Sequence, residues 1–219
     1  MGNEKSMTDE SAVELRRDER GLVLVGGGME LRGDFSRMLP RLKQGRLQQE
    51  LLVRAAKIKG AEVPAAVDCT AGLGEDSLLL AAAGFKVTLF ERDETIAALL
   101  ADELERAAAD PALAAIVARM HFVPGDSIEG LAALGFTPDV VYLDPMFPAR
   151  TKSAAVKKKF QMLHHLEQPC EQEEALVNAA LAVHPRKVVI KRPVKGPYLA
   201  GLKPSYSIGG KSVRYDVLV

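Results

Sequence analysis

From Val63 to Pro193 the chain keeps repeating one unit: a short apolar run, a turn, then a segment long enough for a helix. "AAVDCTAGLG" reads as a strand entering a glycine turn, and "EDSLLLAAAG" as a helix closed by Gly84. "KVTLFERD" is a second strand and "ETIAALLADELERAAA" an amphipathic helix. In "DPALAAIVARM", Asp110 is placed to cap a further helix with Pro111 at its first position. "HFVPGD", "DVVYLDP" and "KVVIKRP" supply a third, fourth and fifth strand, with the helix "CEQEEALVNAALAV" between the last two. The strands are near-continuous Val, Leu and Ile runs rather than alternating ones, so both of their faces must be covered. Strands of this kind, separated by helices, make a mostly parallel, doubly wound α/β sheet. "SYSIGGKSVRYDVLV" ends the chain as two strands across Gly209-Gly210, an antiparallel hairpin that brings the mixed sheet to seven strands.

The front of the chain follows other rules. Residues 1–20 are densely charged and are expected to be a flexible tail. "GLVLVGGGMELRGDF" reads as two short strands around Gly26–Gly28. "GRLQQELLVRAAKIKG" carries Leu47, Leu51, Leu52, Ala55 and Ile58 at helical spacing, with Gly60 to stop the helix. The expected organisation is a tail over 1–20, a small hairpin-plus-helix appendage over 21–60, and the main α/β domain over 61–219.

Hydrophobic residues make up 47% of the 219, enough to bury a sizeable core. No apolar run reaches the roughly 18–20 residues of a membrane helix, and the N-terminus has no apolar core of the signal-peptide kind. The expectation is a cytoplasmic protein that does not engage a membrane. Cys69 and Cys170 are not paired at metal or redox spacing, and His121, His164, His165 and His184 show no HxxxH, so no metal is expected. Net charge is zero but uneven. Residues 144–219 hold 13 Lys+Arg against 6 Asp+Glu, a net of +7, and residues 1–143 carry the balancing −7. One face is therefore suited to a polyanion.

In doubly wound sheets ligands bind beyond the C-terminal strand ends, and here each of the first four strands ends in an acid. The first is followed by "DCTAGLGEDS", with Asp68, Ala71, Gly72, Gly74, Glu75 and Asp76. The two glycines would let the backbone approach a ligand at the start of the next helix. The turn lacks the third glycine of a dinucleotide fingerprint, and its acids would repel a pyrophosphate, which argues against a nicotinamide dehydrogenase. Glu91 and Arg92 follow the second strand, where an acid can accept both hydroxyls of a ribose. Asp126 and Ser127 follow the third, in reach of an adenine amine. A ligand with a ribose, an adenine, an amino-acid end and a cationic sulfur, but no phosphate, matches that set: S-adenosylmethionine. Together with the strand pattern, this points to a class I, Rossmann-like methyltransferase fold.

The fourth strand runs into "VVYLDPMFP". This resembles the (Asp/Asn)-Pro-Pro-(Tyr/Phe) loop of methyltransferases acting on exocyclic base amines. An aryl amine is a weak nucleophile because its lone pair is delocalised into the ring. The Asp144 carboxylate and the Pro145 carbonyl can accept its two hydrogens and turn the lone pair toward the methyl group. Pro145 and Pro148 hold the backbone still, and Phe147 can stack on an extruded base. Met146 stands where that loop usually has a second proline.

"DCTAGLGEDS", "ERDE", "VVYLDPMFP", "KSAAVKKK" and "VVIKRP", in that order, resemble the ribosomal RNA small subunit methyltransferase J family, over roughly Gly21 to Val219. In that family DPMFP is the expected form of the loop. The resemblance implies methyl transfer from S-adenosylmethionine to the 2-amino group of one guanine in small-subunit rRNA, free or assembled. It places cofactor contacts at Glu75, Asp76, Glu91, Arg92, Asp126, Ser127 and Asp144. The basic residues Arg150, Lys152, Lys157, Lys158, Lys159, Lys191 and Arg192 lie where the RNA backbone should pass. An adenine amine as target, or a cofactor-binding assembly factor without turnover, remains the alternative.

Overall fold

The computed structural model describes residues 13–146 and 172–219. Its centre is a seven-stranded mixed sheet built from β4 (Ala65–Asp68), β5 (Lys86–Glu91), β6 (Met120–Pro124), β7 (Val140–Leu143), β8 (Lys187–Pro193), β9 (Tyr206–Gly209) and β10 (Val213–Leu218). The spatial order is β6-β5-β4-β7-β8-β10-β9. β4 through β8 run parallel, and the closing hairpin adds β10 antiparallel to β8 and β9 antiparallel to β10. The chain starts at β4, moves outward through β5 and β6, then returns to lay β7 on the other side of β4. That reversal opens a crevice at the C-terminal ends of β4 and β7, with Asp68 opposite Tyr142 in register.

Alternation along the strands separates two cores. Ala66, Val140, Tyr142 and Val189 bury one face together with α3 (Leu51–Ala56) and α4 (Glu75–Ala82). Val67, Val141, Leu143, Val188 and Ile190 bury the other with α7 (Ser127–Ala132) and α8 (Glu173–Ala182), through Leu131, Leu176, Val177 and Ala180. α5 (Glu94–Ala108) starts where Asp93 Oδ1 accepts the amides of Thr95 and Ile96. It buries Ile96, Leu99 and Leu100.

Three elements depart from the sequence expectation. Residues 14–18, expected to lie in a flexible tail, form β1 (Glu14–Asp18), the edge of a three-stranded antiparallel sheet with β2 (Gly21–Gly26) and β3 (Met29–Leu31). All five β1 residues are exposed, so backbone pairing to β2 defines this strand and no apolar pattern announces it. The single helix expected around Leu47–Ile58 is two, α2 (Gln44–Leu47) and α3, because Glu50 is extended (φ −59°, ψ 128°). The carboxylate of Glu50 takes Arg41 Nε and Nη2 at 2.8 Å each, which ties the break to α1 (Leu39–Leu42). Asp110 caps a turn rather than a helix, accepting from Ala112 N, and α6 begins later (Ala114–Val117).

Two buried acids of α5 latch the N-terminal sheet to the main body. Asp102 Oδ2 accepts the Leu22 amide at 3.0 Å and Arg106 Nε at 2.8 Å, while Oδ1 pairs with Arg17 at 2.7 Å. Glu103 accepts the Phe35 amide and pairs with Arg106, which also donates to Gly33 O. Leu24 and Leu31 close on Leu99 beside them. Replacing Asp102 by alanine strands a buried amide and an arginine, so Asp102→Ala is expected to cost roughly 2–4 kcal/mol. A lowered urea midpoint, with early amide exchange in β2, would be the readout; an unchanged midpoint would remove the latch from this account.

Candidate active site

The strand-order reversal leaves a cleft of about 360 Å³. The turn after β4 contributes Cys69 and Thr70, the end of β5 contributes Glu91 and Arg92, the β6–α7 junction contributes Asp126 and Ser127, and the end of β7 contributes Asp144 and Pro145. Leu176 and Gln172 at the start of α8 close the far wall. Six residues singled out from sequence therefore share one cavity although they come from three strand ends.

Each acid has a distinct environment. Glu91 is buried, and its carboxylate accepts one backbone amide on each oxygen, Asp93 N at 2.9 Å and Gly72 N at 2.8 Å. Burial pushes its pKa up while those amides pull it down. Each oxygen keeps a second lone pair for a ligand. Asp126 Oδ1 caps α7 through Ile128 N at 2.7 Å. The Cys69 thiol is pushed well up by burial and stays neutral, so it is a wall and not a nucleophile.

The other residues from the first turn are not among those lining the cleft, and Asp68, Ala71 and Gly74 are each engaged within the protein. Asp68 is fully buried beneath the turn, accepting Thr70 N at 3.0 Å and Ser77 Oγ at 2.6 Å. Burial raises its pKa to about 7. Ala71 N bonds Phe90 O, which ties the turn to β5. Gly74 was expected to bring backbone close to a ligand, but its φ of +78° and its neighbours give another reason for glycine. A Cβ there would sit 2.7 Å from Leu100 Cδ1 and 3.1 Å from Phe35 Cζ. The glycine lets α4 pack against α5 and the N-terminal segment. Glu75 is exposed at the start of α4.

Asp76 belongs to a second cluster that the sequence did not suggest. Its Oδ2 accepts the Tyr142 hydroxyl at 2.6 Å and Lys191 Nζ at 2.7 Å, and Lys191 Nζ lies 2.8 Å from Asp144 Oδ2. The Asp144 amide donates to Thr70 Oγ1 at 2.7 Å, fixing the backbone as well. Burial raises the Asp144 pKa, with Lys191 opposing and Asp76 adding to the rise. For Lys191, burial works against the charge, but the carboxylates of Asp76 and Asp144 outweigh it and hold the ammonium well above the ordinary lysine value. The Tyr142 phenol is pushed well up by burial and by Asp76, so it remains a donor.

Lys191 and Arg192 were both expected to face phosphates. Lys191 turns inward to the two aspartates, and Arg192 is buried, with its Nε on Pro197 O and its guanidinium 3.7 Å from Glu173. Strand period explains the split. Lys191 shares the Val189 face, where Tyr142 lies, and Arg192 shares the Ile190 face under α8. That alternation was readable in "VVIKRP" and sets the two side chains on opposite faces, while what each face meets is decided by the packing. Phe147, Arg150, Lys152, Lys157, Lys158 and Lys159 lie outside the described residues. Among the described residues no group of three or more His, Cys, Asp or Glu side chains is arranged to hold a metal, and no helix is long and apolar enough to cross a membrane.

Comparison with known proteins agrees with the geometry. Residues 7–219 match the family described as "Putative SAM-dependent methyltransferase". A ribosomal RNA small subunit methyltransferase J from Thioalkalivibrio sulfidiphilus is 51% identical over 79% of this chain and 69% of its own length. Its counterpart from Pseudomonas aeruginosa is 43% identical over 95% of this chain and 83% of its own. Among solved structures, a SAM-dependent methyltransferase from Neisseria gonorrhoeae superposes with a TM-score of 0.78 at 32% identity, over 98% of this chain and 85% of the other. An rRNA methyltransferase from Streptomyces viridochromogenes shares the fold, with a TM-score of 0.52 at 17% identity over 79% of this chain and 83% of the other.

The raised pKa of Asp68 carries a pH signature. The native state holds this proton up to about pH 7, whereas an unfolded aspartate releases it near 3.8, the ordinary aspartate value. Its contribution to stability is therefore complete below about pH 4 and is lost as pH rises through 7. Asp68→Asn should remove that slope. Urea midpoints of the two proteins should diverge in favour of wild type as pH falls from 7 toward 5, and parallel midpoints would contradict the assignment.

Proposed function

The chain belongs to the ribosomal RNA small subunit methyltransferase J family of SAM-dependent methyltransferases, and from that premise we propose that it methylates the exocyclic 2-amino group of one guanosine in small-subunit rRNA. The observation that carries this reading is the carboxylate of Asp144, fixed at the rim of the cleft by Thr70 from the backbone side and by Lys191 at Oδ2. Such a group suits a flat amine that must be oriented before it can react.

The cleft fits S-adenosylmethionine on its own chemistry. Its volume is that of a small-molecule site. Glu91 retains acceptor capacity for ribose hydroxyls, and Asp126 and Ser127 stand where an adenine amine can be met. Phe90, Ile128 and Leu176 supply apolar wall for a flat ring. The acids favour a cationic ligand over a phosphate. When bound, S-adenosylmethionine supplies an electrophilic methyl group on a positively charged sulfur.

The protein's own residues do the rest. Lys191 Nζ holds Asp144 Oδ2, which leaves Oδ1 to accept one amine hydrogen, and the Pro145 carbonyl accepts the other. Both acceptors localise the nitrogen lone pair and stabilise the positive charge that grows on nitrogen during transfer. The methylated nitrogen must then lose a proton. Asp144, with a proton affinity raised by burial, is the acceptor at hand. Phe147 supplies the stacking ring in this reading, and no covalent enzyme intermediate is required.

Labelled S-adenosylmethionine, offered with small subunits and free rRNA from cells lacking the protein, should leave label in N2-methylguanosine. Label in an adenosine would overturn the choice of base. Asp144→Ala should lower turnover by about 10²–10³-fold with cofactor affinity nearly intact, and near-normal turnover would discard its role. Lys191→Met should lower kcat about tenfold or more. It should also move the acidic limb of the rate profile to higher pH, because Asp144 then faces Asp76 without the cation between them. Lys191→Arg should recover part of both.

A further inference from the structure

With Lys191 and Arg192 turned inward, the loop that follows β8 carries outward positive charge among the described residues at this end of the sheet, in Lys195 and Lys203. We propose that the loop from Pro193 to Lys203 is a docking shelf for single-stranded RNA, with Tyr198 stacking on a base and Lys195 and Lys203 meeting phosphates. The proposal rests on the reading of the chain as an rRNA methyltransferase and extends it to where the strand runs.

The loop is held rigid from below. Arg214 Nη1 donates to the carbonyls of Pro193 (2.8 Å), Val194 (2.8 Å) and Gly196 (3.0 Å), and Arg192 Nε donates to Pro197 O at 3.1 Å. Leu199 is buried against the α8 core, and the Ala200 amide donates to Glu173 Oε2 at 3.3 Å. Ala200 itself takes a left-handed φ of 48°, a conformation a non-glycine residue rarely adopts unless its surroundings impose it. These contacts fix the loop to the body of the protein, yet large side chains on the outer surface are left in solvent. Tyr198 is 41% exposed, Leu202 38% and Val194 40%, with Lys195 and Lys203 exposed between and beside them.

Position and charge select the partner. Lys191, only two residues before the loop's backbone leaves the sheet, reaches Asp144, and the Lys195 backbone lies within about 15 Å of the Lys191 backbone. The loop leans on α8, whose start lines the cleft through Gln172 and Leu176. From Pro193 to Tyr215 there are three lysines, one arginine and no acid; Asp216, next in the chain, is buried and paired with Arg214, so the outward charge is that of the lysines. The Arg214 guanidinium sits 5.2 Å from the centroid of the Tyr198 ring. With a cation already on the ring, the tyrosine is a preformed platform for a base, and stacking of this kind tolerates any sequence. Single apolar side chains separated by lysines match a strand of alternating bases and phosphates better than the contiguous apolar patch a protein partner would bury.

The test is equilibrium binding of the full chain to a small-subunit rRNA transcript over a range of salt concentrations. Lys195→Gln/Lys203→Gln should weaken binding and reduce the slope of log K against log salt by about 1.4, two phosphates at roughly 0.7 each. Tyr198→Ala should weaken it about five- to hundredfold without changing the slope, and Tyr198→Phe should bind as wild type. Unchanged S-adenosylmethionine affinity in every variant would show that the fold is intact. The shelf is overturned if the double lysine variant keeps wild-type affinity and slope, or if Tyr198→Phe loses as much as Tyr198→Ala. The two readings fail separately. Wild-type binding that depends on these residues without label in a guanosine would overturn the reaction and keep the shelf, whereas normal guanosine methylation and binding by the variants would do the reverse.

Discussion

Three carboxylates, Asp68, Asp76 and Asp144, converge where β4 and β7 end side by side, and one ammonium, Lys191, stands among them. Like charges at such distances in a largely buried site cannot all remain ionised without compensation. The fold answers in two ways. Asp68, the deepest, is driven toward its neutral form by burial and is satisfied by Ser77 and Thr70. Asp76 and Asp144 share Lys191, and Tyr142 donates to Asp76 from the floor of the sheet. The outcome is a carboxylate at the rim of the cleft, 37% exposed at its side chain, with one oxygen held and a rigid backbone behind it.

The same logic appears on α5, where Asp102 and Glu103 are nearly inaccessible. There the acids accept backbone amides of the N-terminal segment and are matched by Arg17 and Arg106. One buried acid cluster joins two parts of the chain and the other aims a reactive group. The two differ in what supplies the compensating charge. Around α5 arginines lie partly in solvent, whereas at the cleft a single lysine, only 25% exposed, serves two acids.

Much of the architecture was legible because apolar periodicity is a local property. The runs at Ala65–Asp68, Lys86–Glu91, Val140–Leu143 and Lys187–Pro193 read as buried strands, and Glu94–Ala108 read as an amphipathic helix. The misses share one cause, which is backbone pairing or turning imposed by partners distant in sequence. β1 exists because β2 offers it an edge. The segment between Leu47 and Leu51 leaves the helix where Glu50 meets Arg41, although its apolar spacing is unbroken. Gly74 combines a φ of +78° with Leu100 and Phe35 packed against it, a constraint that no local pattern announces.

The sequence alone determined that acids end successive strands and that a proline-bounded Asp144 follows the fourth, because residue type and strand period are written locally. It also determined the family, through ordered motifs that span the chain. Only the tertiary structure decided which acids share the cleft and which brace it. The strand order reverses at β4 and β7, and that reversal brings Asp144 to Lys191 and Asp76 while leaving Asp68 beneath the turn. Charge carries no address in a linear chain: a lysine at a strand end serves a carboxylate or a phosphate according to the face its strand presents, and that face is set by the neighbours packed against it.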